Sequence, residues 1–327
     1  MFLRQFRYLL AVAEMEHFGR AADSCCVTQP SLSSGIKQLE YELGVPIFLR
    51  GRGRRYCGLT PEGQRVAKWA RSIISHCDAM RDEIDIMHGN LKGNLHIGAM
   101  SSMSPVMPLL IKHMSKRHPN VHADIRFIGI EEMTLGLNNF SLDVAISYLK
   151  DDSLAHLNKM PLYFEKLSLL VPDNDKFKDR TSITWLEAAE LPLAMLRAST
   201  HERKFIDKVF KKIGCDPIVG VESESIVHLM FQTQYNSLAT IIPGHFTLMP
   251  GLHTGTKALN LIEPVVSQEV GLIWTDAYPA RPIASAMVAA VKGVKDSGEL
   301  ETYLGKFAIT GTGSALNRNP ATAVIPA

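Results

Sequence analysis

The sequence predicts a multidomain α+β/α/β protein: a small helical head, one long helix, and a two-lobed α/β body. Three observations carry this. The first ninety of 327 residues show mainly helical periodicity, the remainder alternates strands with helices, and the excess positive charge sits in the head.

Leu3, Phe6, Leu9, Leu10 and Ala13 fall on one helical face, and Phe18, Ala21 and Ala22 begin a second short helix. Val27–Ser31 turns into a third, with Thr28 as a cap and Pro30 in the first turn, where its missing N–H costs nothing. Leu32, Ile36, Leu39 and Leu43 form its apolar stripe, and Gly44 and Pro46 end it. Two helices joined by a tight turn make a helix-turn-helix. Arg50, Arg52, Arg54 and Arg55, interleaved with glycine, form a basic loop, and a short extended piece runs on to Leu59–Thr60.

Thr60–Pro61–Glu62 starts the long helix by the same cap-then-proline logic. Val66, Ala70, Ile73, Cys77, Met80, Ile84 and Met87 form a heptad seam along it, which predicts pairing with a second copy. The alternative is a long amphipathic helix lying on its own domain, but the head is too small to cover so long a stripe.

Beyond Gly89 and Gly93 the period changes. Strands are expected at 95–99, 121–127, 143–148, 193–196, 218–222 and 237–242, and helices at 104–118, 131–139, 201–213 and 225–234. Repeated strand–helix–strand units predict a mainly parallel sheet. Its length suits two lobes, with crossings near 160–163 and 263–268. The expected boundaries are 1–60 for the head and 61–90 for the linker helix. Lobe I then takes 91–161 and 267–307, and lobe II takes 162–266. A Gly, Ala, Thr, Asn and Pro tail, 308–327, is expected to be disordered.

At 46% hydrophobic and 21% charged residues, disorder over most of the chain is excluded. The longest apolar run near the N-terminus is Tyr8–Ala13, too short for a membrane span or a secretory signal. Five irregularly spaced cysteines give no disulfide framework or zinc pattern, which points to a reducing cytoplasm. The net charge of +2 hides an asymmetry: residues 1–72 hold 11 Lys/Arg against 6 Asp/Glu. A basic end on a slightly acidic body suggests a polyanionic partner there. His113, His118 and His122 are spaced loosely like metal ligands, but no cysteine or carboxylate completes a set. No catalytic triad order, nucleophile elbow, phosphate loop or dinucleotide fingerprint appears, so neither an enzyme nor a cofactor is expected.

Phe18–x–x–Ala21–Ala22, Thr28–Gln29–Pro30–Ser31–Leu32–Ser33, Ile36–x–x–Leu39–Glu40–x–x–Leu43–Gly44–Val45–Pro46–Ile47–Phe48–x–Arg50 and Leu59–Thr60–x–x–Gly63 resemble the LysR-type transcriptional regulators. The resemblance implies a winged helix-turn-helix, a linker helix and an effector domain resembling periplasmic binding proteins. It implies promoter DNA as partner, a homodimer or homotetramer, and recruitment of RNA polymerase. The chemistry agrees. Gln29 can bond adenine bidentately, Thr28, Ser31 and Ser33 can reach bases or phosphates, and Lys37 can reach phosphate or guanine. For Thr28, helix capping is an equal alternative. Arg52, Arg54 and Arg55 would grip the backbone or enter the minor groove. Ser34 stands where many relatives carry Arg or Gln, so a base preference does not transfer.

The resemblance also implies a small-molecule site between the lobes, at Ser101 and Ser102 after the first strand, with Ser104–Pro105 opening a helix. Ser199 and Thr200 would contribute from a second helix, Ser199 and Glu202 being spaced as a capping box. Ile130, Ser147 and Tyr148 complete the expected set; Ile130 replaces a hydroxyl found in relatives. Two helix N-termini facing one cleft would suit a carboxylate or inorganic anion, and so an organic-acid effector. A redox-sensing or ligand-independent regulator is the alternative within the class. A metabolite-binding protein or enzyme with an appended DNA module is the alternative outside it.

Overall fold

The structure, a computed structural model, describes residues 1–50, 56–248, 255–276 and 281–305, with the Arg50, Cys57 and Leu248 side chains excepted. The expected contacts of Arg52, Arg54 and Arg55, and the expected disorder of 308–327, lie outside the described residues.

Three helices, α1 (Leu3–Met15), α2 (Phe18–Ser24) and α3 (Gln29–Leu43), enclose Leu9, Val12, Ala21, Leu32, Ile36 and Leu39. Thr28 caps α3, accepting from the Ser31 N–H at 3.4 Å, and Gly44 ends it in the left-handed region at φ 70°. Short strands β1 (Phe48–Arg50) and β2 (Tyr56–Leu59) pair antiparallel. The Glu40 carboxylate ties α3 to this ribbon by accepting from the N–H groups of Ile47 at 2.7 Å and Phe48 at 3.3 Å.

Helix α4 (Pro61–Met87) begins as the cap logic requires. The Thr60 hydroxyl accepts from Gly63 N–H at 2.8 Å and donates to the Pro46 carbonyl at 2.7 Å. A Cβ on Gly63 would lie 2.1 Å from the Ile47 carbonyl oxygen, so only glycine lets α4 sit this close to β1. Val66 and Ala70, expected on the dimer seam, instead pack into the head's own core, Ala70 with no exposure. The head needs one face of the first α4 turns to close its base. Ile73 packs against the same core, so the apolar stripe left open is Trp69, Met80, Ile84 and Met87, with Cys77 half-buried between them.

The body opens with β3 (Lys92–Ala99), a single 3₁₀ turn (Ser101–Met103), α5 (Met107–Arg117), β4 (Asn120–Phe127), α6 (Ile130–Asn138) and β5 (Val144–Tyr148). One long strand follows, β6 (Asn158–Pro172). Then come β7 (Ser182–Thr184), α7 (Trp185–Ala189), β8 (Pro192–Leu196), α8 (His201–Ile213), β9 (Ile218–Ser223), α9 (Ile226–Asn236) and β10 (Ala239–Pro243). A 3₁₀ turn (Gly244–Leu248), β11 (Thr256–Ile262), β12 (Ser267–Trp274), α10 (Pro282–Asp296) and α11 (Glu299–Gly305) complete it. The helix expected from 104 starts only at Met107, because Ser104 donates its hydroxyl back to the Ser101 carbonyl at 2.6 Å and closes a turn instead.

The strand order is β4-β3-β5-β12-β6-β10-β8-β9, with β11 on β6 and β7 on β11. The outer pairs are parallel, as expected: β3 with β4 and β5, β8 with β9 and β10, and β7 with β11. The joining strands are not. β12 runs antiparallel to β5 and β6, and β6 runs antiparallel to β10 and β11, so the sheet is mixed. Each lobe has its own core, around Ile97, Ile146, Leu272 and Met287 in one and Leu169, Trp185, Phe210 and Leu259 in the other. The changeover from lobe I to lobe II lies inside β6. Lys166 still pairs with Ser267 of β12, whereas Leu167 pairs with Pro243 of β10. That is later than the expected crossing at 160–163. The return falls between β11 and β12, within the expected 263–268.

A buried polar group marks the changeover. Glu165 accepts from the Tyr148 hydroxyl at 2.5 Å, and its other oxygen lies 3.6 Å from His245 Nδ1. His245 Nε2 sits 2.7 Å from the Ser102 carbonyl. Ser102 and Tyr148 belong to lobe I and His245 to lobe II, so the chain of contacts spans both. Burial raises Glu165 to about 8 and lowers His245 to about 4. Both are therefore neutral at pH 7.

Two expectations follow from this packing. Gly63→Ala should destabilise the head by ~1–3 kcal/mol through overpacking, read as a lower thermal midpoint; an unchanged midpoint would show that β1 yields freely. The second concerns Glu165. Folded, it keeps its proton up to about 8, whereas unfolded it loses it near 4.5, so its contribution to stability falls as pH rises between those values. His245 has the opposite slope, confined below its ordinary 6.5. Between pH 6.5 and 8 the Glu165 effect should thus dominate. Urea midpoints should fall over that range in the wild type and stay flatter in Glu165→Gln; equal falls would show that another group titrates.

Candidate functional site

Two surfaces collect the residues singled out from the sequence. On α3 the buried positions Leu32, Ile36 and Leu39 fix the opposite face outward. That outward face carries Thr28, Pro30, Ser31, Ser34 and Lys37, all exposed, with Gln29 and Ser33 half-buried at its edges. The Thr28 hydroxyl donates to Ser31 Oγ at 3.0 Å as well as capping the helix. Its capping role is thus present in the fold. Gly35 lets the base of this helix approach α1: a Cβ there would lie 2.9 Å from the Tyr8 ring. At the preceding helix the sequence reading missed a cap. His17 Nδ1 accepts from the N–H groups of Gly19 at 3.1 Å and Arg20 at 3.2 Å.

The second surface is a cleft of about 1100 Å³ between the lobes. Ser101, Ile130, Tyr148, Ser199 and Thr200 line it, as expected. Ser102 and Ser147 do not. The 3₁₀ turn exposes Ser101 and tucks Ser102 beneath the floor with no exposure. Successive strand residues point to opposite faces, so with Tyr148 at the cleft Ser147 must point away; its hydroxyl donates to Met100 Sδ at 3.4 Å.

Two helix N-termini do open on the cleft, but the lobe I member is α6 rather than α5. Gly129 precedes α6 without any side-chain cap, and Ile128–Glu131 line the wall. The facing helix is α8. Its cap is Thr200, not Ser199: the Thr200 hydroxyl accepts from Arg203 N–H at 3.3 Å and donates to the Arg197 carbonyl at 2.9 Å. That hydroxyl proton is committed within the fold, so α8 offers the cleft its first backbone N–H groups instead.

The sequence reading missed His201, the first residue of α8. Its ring stacks on Tyr148 at 5.2 Å and 17°, and its Nε2 lies 3.4 Å from Gln268 Oε1. Nδ1 lies 3.8 Å from the Asp151 carboxylate. Burial lowers the imidazole's pKa. His201 therefore joins α8 to three lobe I residues across the cleft. A titratable ring directly after a capping threonine was the signal available for it. The cleft is also more acidic than expected. Glu131, Asp151, Asp152, Glu202, Asp207, Glu224 and Glu269 line it, against Lys150, Lys204 and Lys208.

The head and linker also touch lobe I. Arg281, before α10, pairs with Asp82 of α4 at 3.3 Å and with Asp143 at 2.5 Å. Arg126 of β4 pairs with Glu14 of α1 at 3.6 Å. Of the three spaced histidines, His113 pairs with Glu299 at 2.8 Å, and His118 and His122 lie on different elements. Among the described residues no group of three His, Cys, Asp or Glu is placed to hold a metal ion.

This architecture matches known proteins along most of its length. The chain is 26% identical over 297 residues to the DNA-binding transcriptional dual regulator OxyR of Escherichia coli, covering 90% of this chain and 96% of that one. A cysteine variant of full-length OxyR from Pseudomonas aeruginosa superposes with a TM-score of 0.70 at 25% identity, covering 89% of this chain and 95% of that one. CbnR, solved in complex with its target DNA, shares the fold with a TM-score of 0.66 at 19% identity, covering 90% and 99%. The bacterial regulatory helix-turn-helix of the lysR family matches residues 3–64, and the LysR substrate binding domain matches residues 88–295. The chain thus belongs to the LysR family of transcriptional regulators.

Proposed function

We propose that this regulator binds promoter DNA through α3, pairs with a second copy through α4, and is controlled by a small molecule carrying an anionic group in the cleft. The observation that carries the last step is the pair of helix N-termini, uncapped α6 and Thr200-capped α8, opening on one cavity from different lobes. An anion held by both would draw the lobes together. The ion pairs from Asp143 through Arg281 to Asp82, and from Arg126 to Glu14, would pass that movement to the linker and the head. Pairing through α4 and contacts between effector domains would give a dimer of dimers. Changes in head spacing would then alter DNA bending and the recruitment of RNA polymerase, in the cytoplasm.

Redox sensing is the second reading, favoured by the OxyR relatives. The cysteines of this chain favour the ligand reading instead. Cys215 is the only cysteine after residue 77, so the effector domain cannot close a disulfide within itself. Burial also pushes its thiol pKa up, away from the reactive thiolate.

DNA binding is tested on an operator selected from random sequence by the wild-type protein. Lys37→Ala should weaken binding to all DNA and lower the salt slope by ~1 if it holds a phosphate. Gln29→Ala should cost ~1–3 kcal/mol on the selected site and little on random DNA. Equal loss on both would contradict base reading by Gln29. Met80 is 57% exposed on the open stripe of α4. Met80→Asp would bury an unpaired charge in the proposed seam at a cost of several kcal/mol, about 3–5. Sedimentation should show fewer assembled protomers and DNA binding should lose cooperativity; an intact oligomer would place the contact elsewhere.

A further inference from the structure

Among the described residues lining the cleft, one buried carboxylate receives no partner from the fold. Glu202 is the second residue of α8, lines the cleft, and is only 8% exposed. Among the described residues it receives no hydrogen bond and makes no ion pair. Its neighbours on the floor are Tyr148, the buried and neutral Glu165, and His201, which burial keeps neutral at pH 7, so none of them supplies a cation. The lysines of the same cleft, Lys150, Lys204 and Lys208, are exposed and do not reach it. A carboxylate in a cleft wall that receives neither a cation nor a donor from the fold is open to one supplied by a ligand. Its ordinary partner would be an Arg or Lys, and the fold supplies none.

We infer that the effector carries a protonated amine that pairs with Glu202. This rests on the reading above, in which the α6 and α8 N-termini hold the effector's anionic group. Together they define a zwitterion of the α-amino-acid type. Its carboxylate lies against backbone N–H groups and its ammonium lies against Glu202. The acid-rich lining, which fits poorly with a simple organic acid, is accounted for by the second charge. Half-buried Phe205, buried Ile130 and buried Val266 on the walls leave room for a side chain.

The test is calorimetric titration of the full chain with each of the common α-amino acids, and with the deaminated acid and decarboxylated amine of any that bind. At least one amino acid should bind, and its deaminated acid should bind about 10–100-fold more weakly. Glu202→Gln is close to isosteric and should bring the amino acid down to the affinity of its deaminated acid, with the thermal midpoint of the free protein kept. A deaminated acid that binds as tightly as its amino acid would overturn the ammonium site and leave the anion reading standing. A decarboxylated amine that binds as tightly, and is lost in Glu202→Gln, would do the reverse. Binding by none of the amino acids, or unchanged amino-acid affinity in Glu202→Gln, would overturn the inference.

Discussion

The body of this regulator depends on a single strand that both lobes share. Residues 158–166 of β6 are zipped to β12, and residues 167–172 to β10 and β11. Strands on either side can therefore shift only by bending β6 or the short return before β12. This makes the lobes hinged halves of one sheet rather than two beads on a string. It also fixes where the cleft must lie. Ligand crevices in parallel sheets open at the carboxyl ends of strands. Here β5 ends at Tyr148 and β8 at Leu196, and the loops that follow each bring their residues to the same cavity.

The junction of the two pairings is the natural place for a polar group to be expelled, yet Glu165 stays. Its neutrality explains why the fold tolerates it: a protonated carboxyl beside Tyr148 and a neutral imidazole costs far less than a buried charge. The result is a packed polar floor beneath the cleft: His245 meets the Ser102 carbonyl, Glu165 lies beside His245 and accepts from Tyr148, and the Tyr148 ring stacks on His201. Any ligand that moves His201 acts directly on the top of this stack.

Legibility followed locality. The head was readable because its signals are one-turn devices: Thr28 with Pro30, Thr60 with Pro61, Gly44 after Leu43. Each is decided by neighbours within three residues. The sequence reading missed strand β6 and placed a crossing at its residues 160–163, because its partners lie 70 to 116 residues downstream. Most of the expected cleft set was legible. Ser101, Ile130, Tyr148, Ser199 and Thr200 reach it, whereas Ser102 and Ser147 fail through a tight turn and strand alternation that composition does not show. The start of the expected α4 stripe is claimed by the head. A heptad cannot tell which stripe the head will claim, and the head took Val66 and Ala70.

Native-state hydrogen exchange along β6 tests the shared-strand account most directly. Because both halves of β6 belong to one sheet, amides on the lobe I side (Leu162–Lys166) and the lobe II side (Leu167–Val171) should open with the same free energy and the same denaturant dependence. That free energy should equal the one for global unfolding of the body. A lobe II segment that exchanges through a separate, lower-energy opening while the lobe I segment stays protected would contradict the account. It would show two independently folding lobes, for which β6 is only a tether.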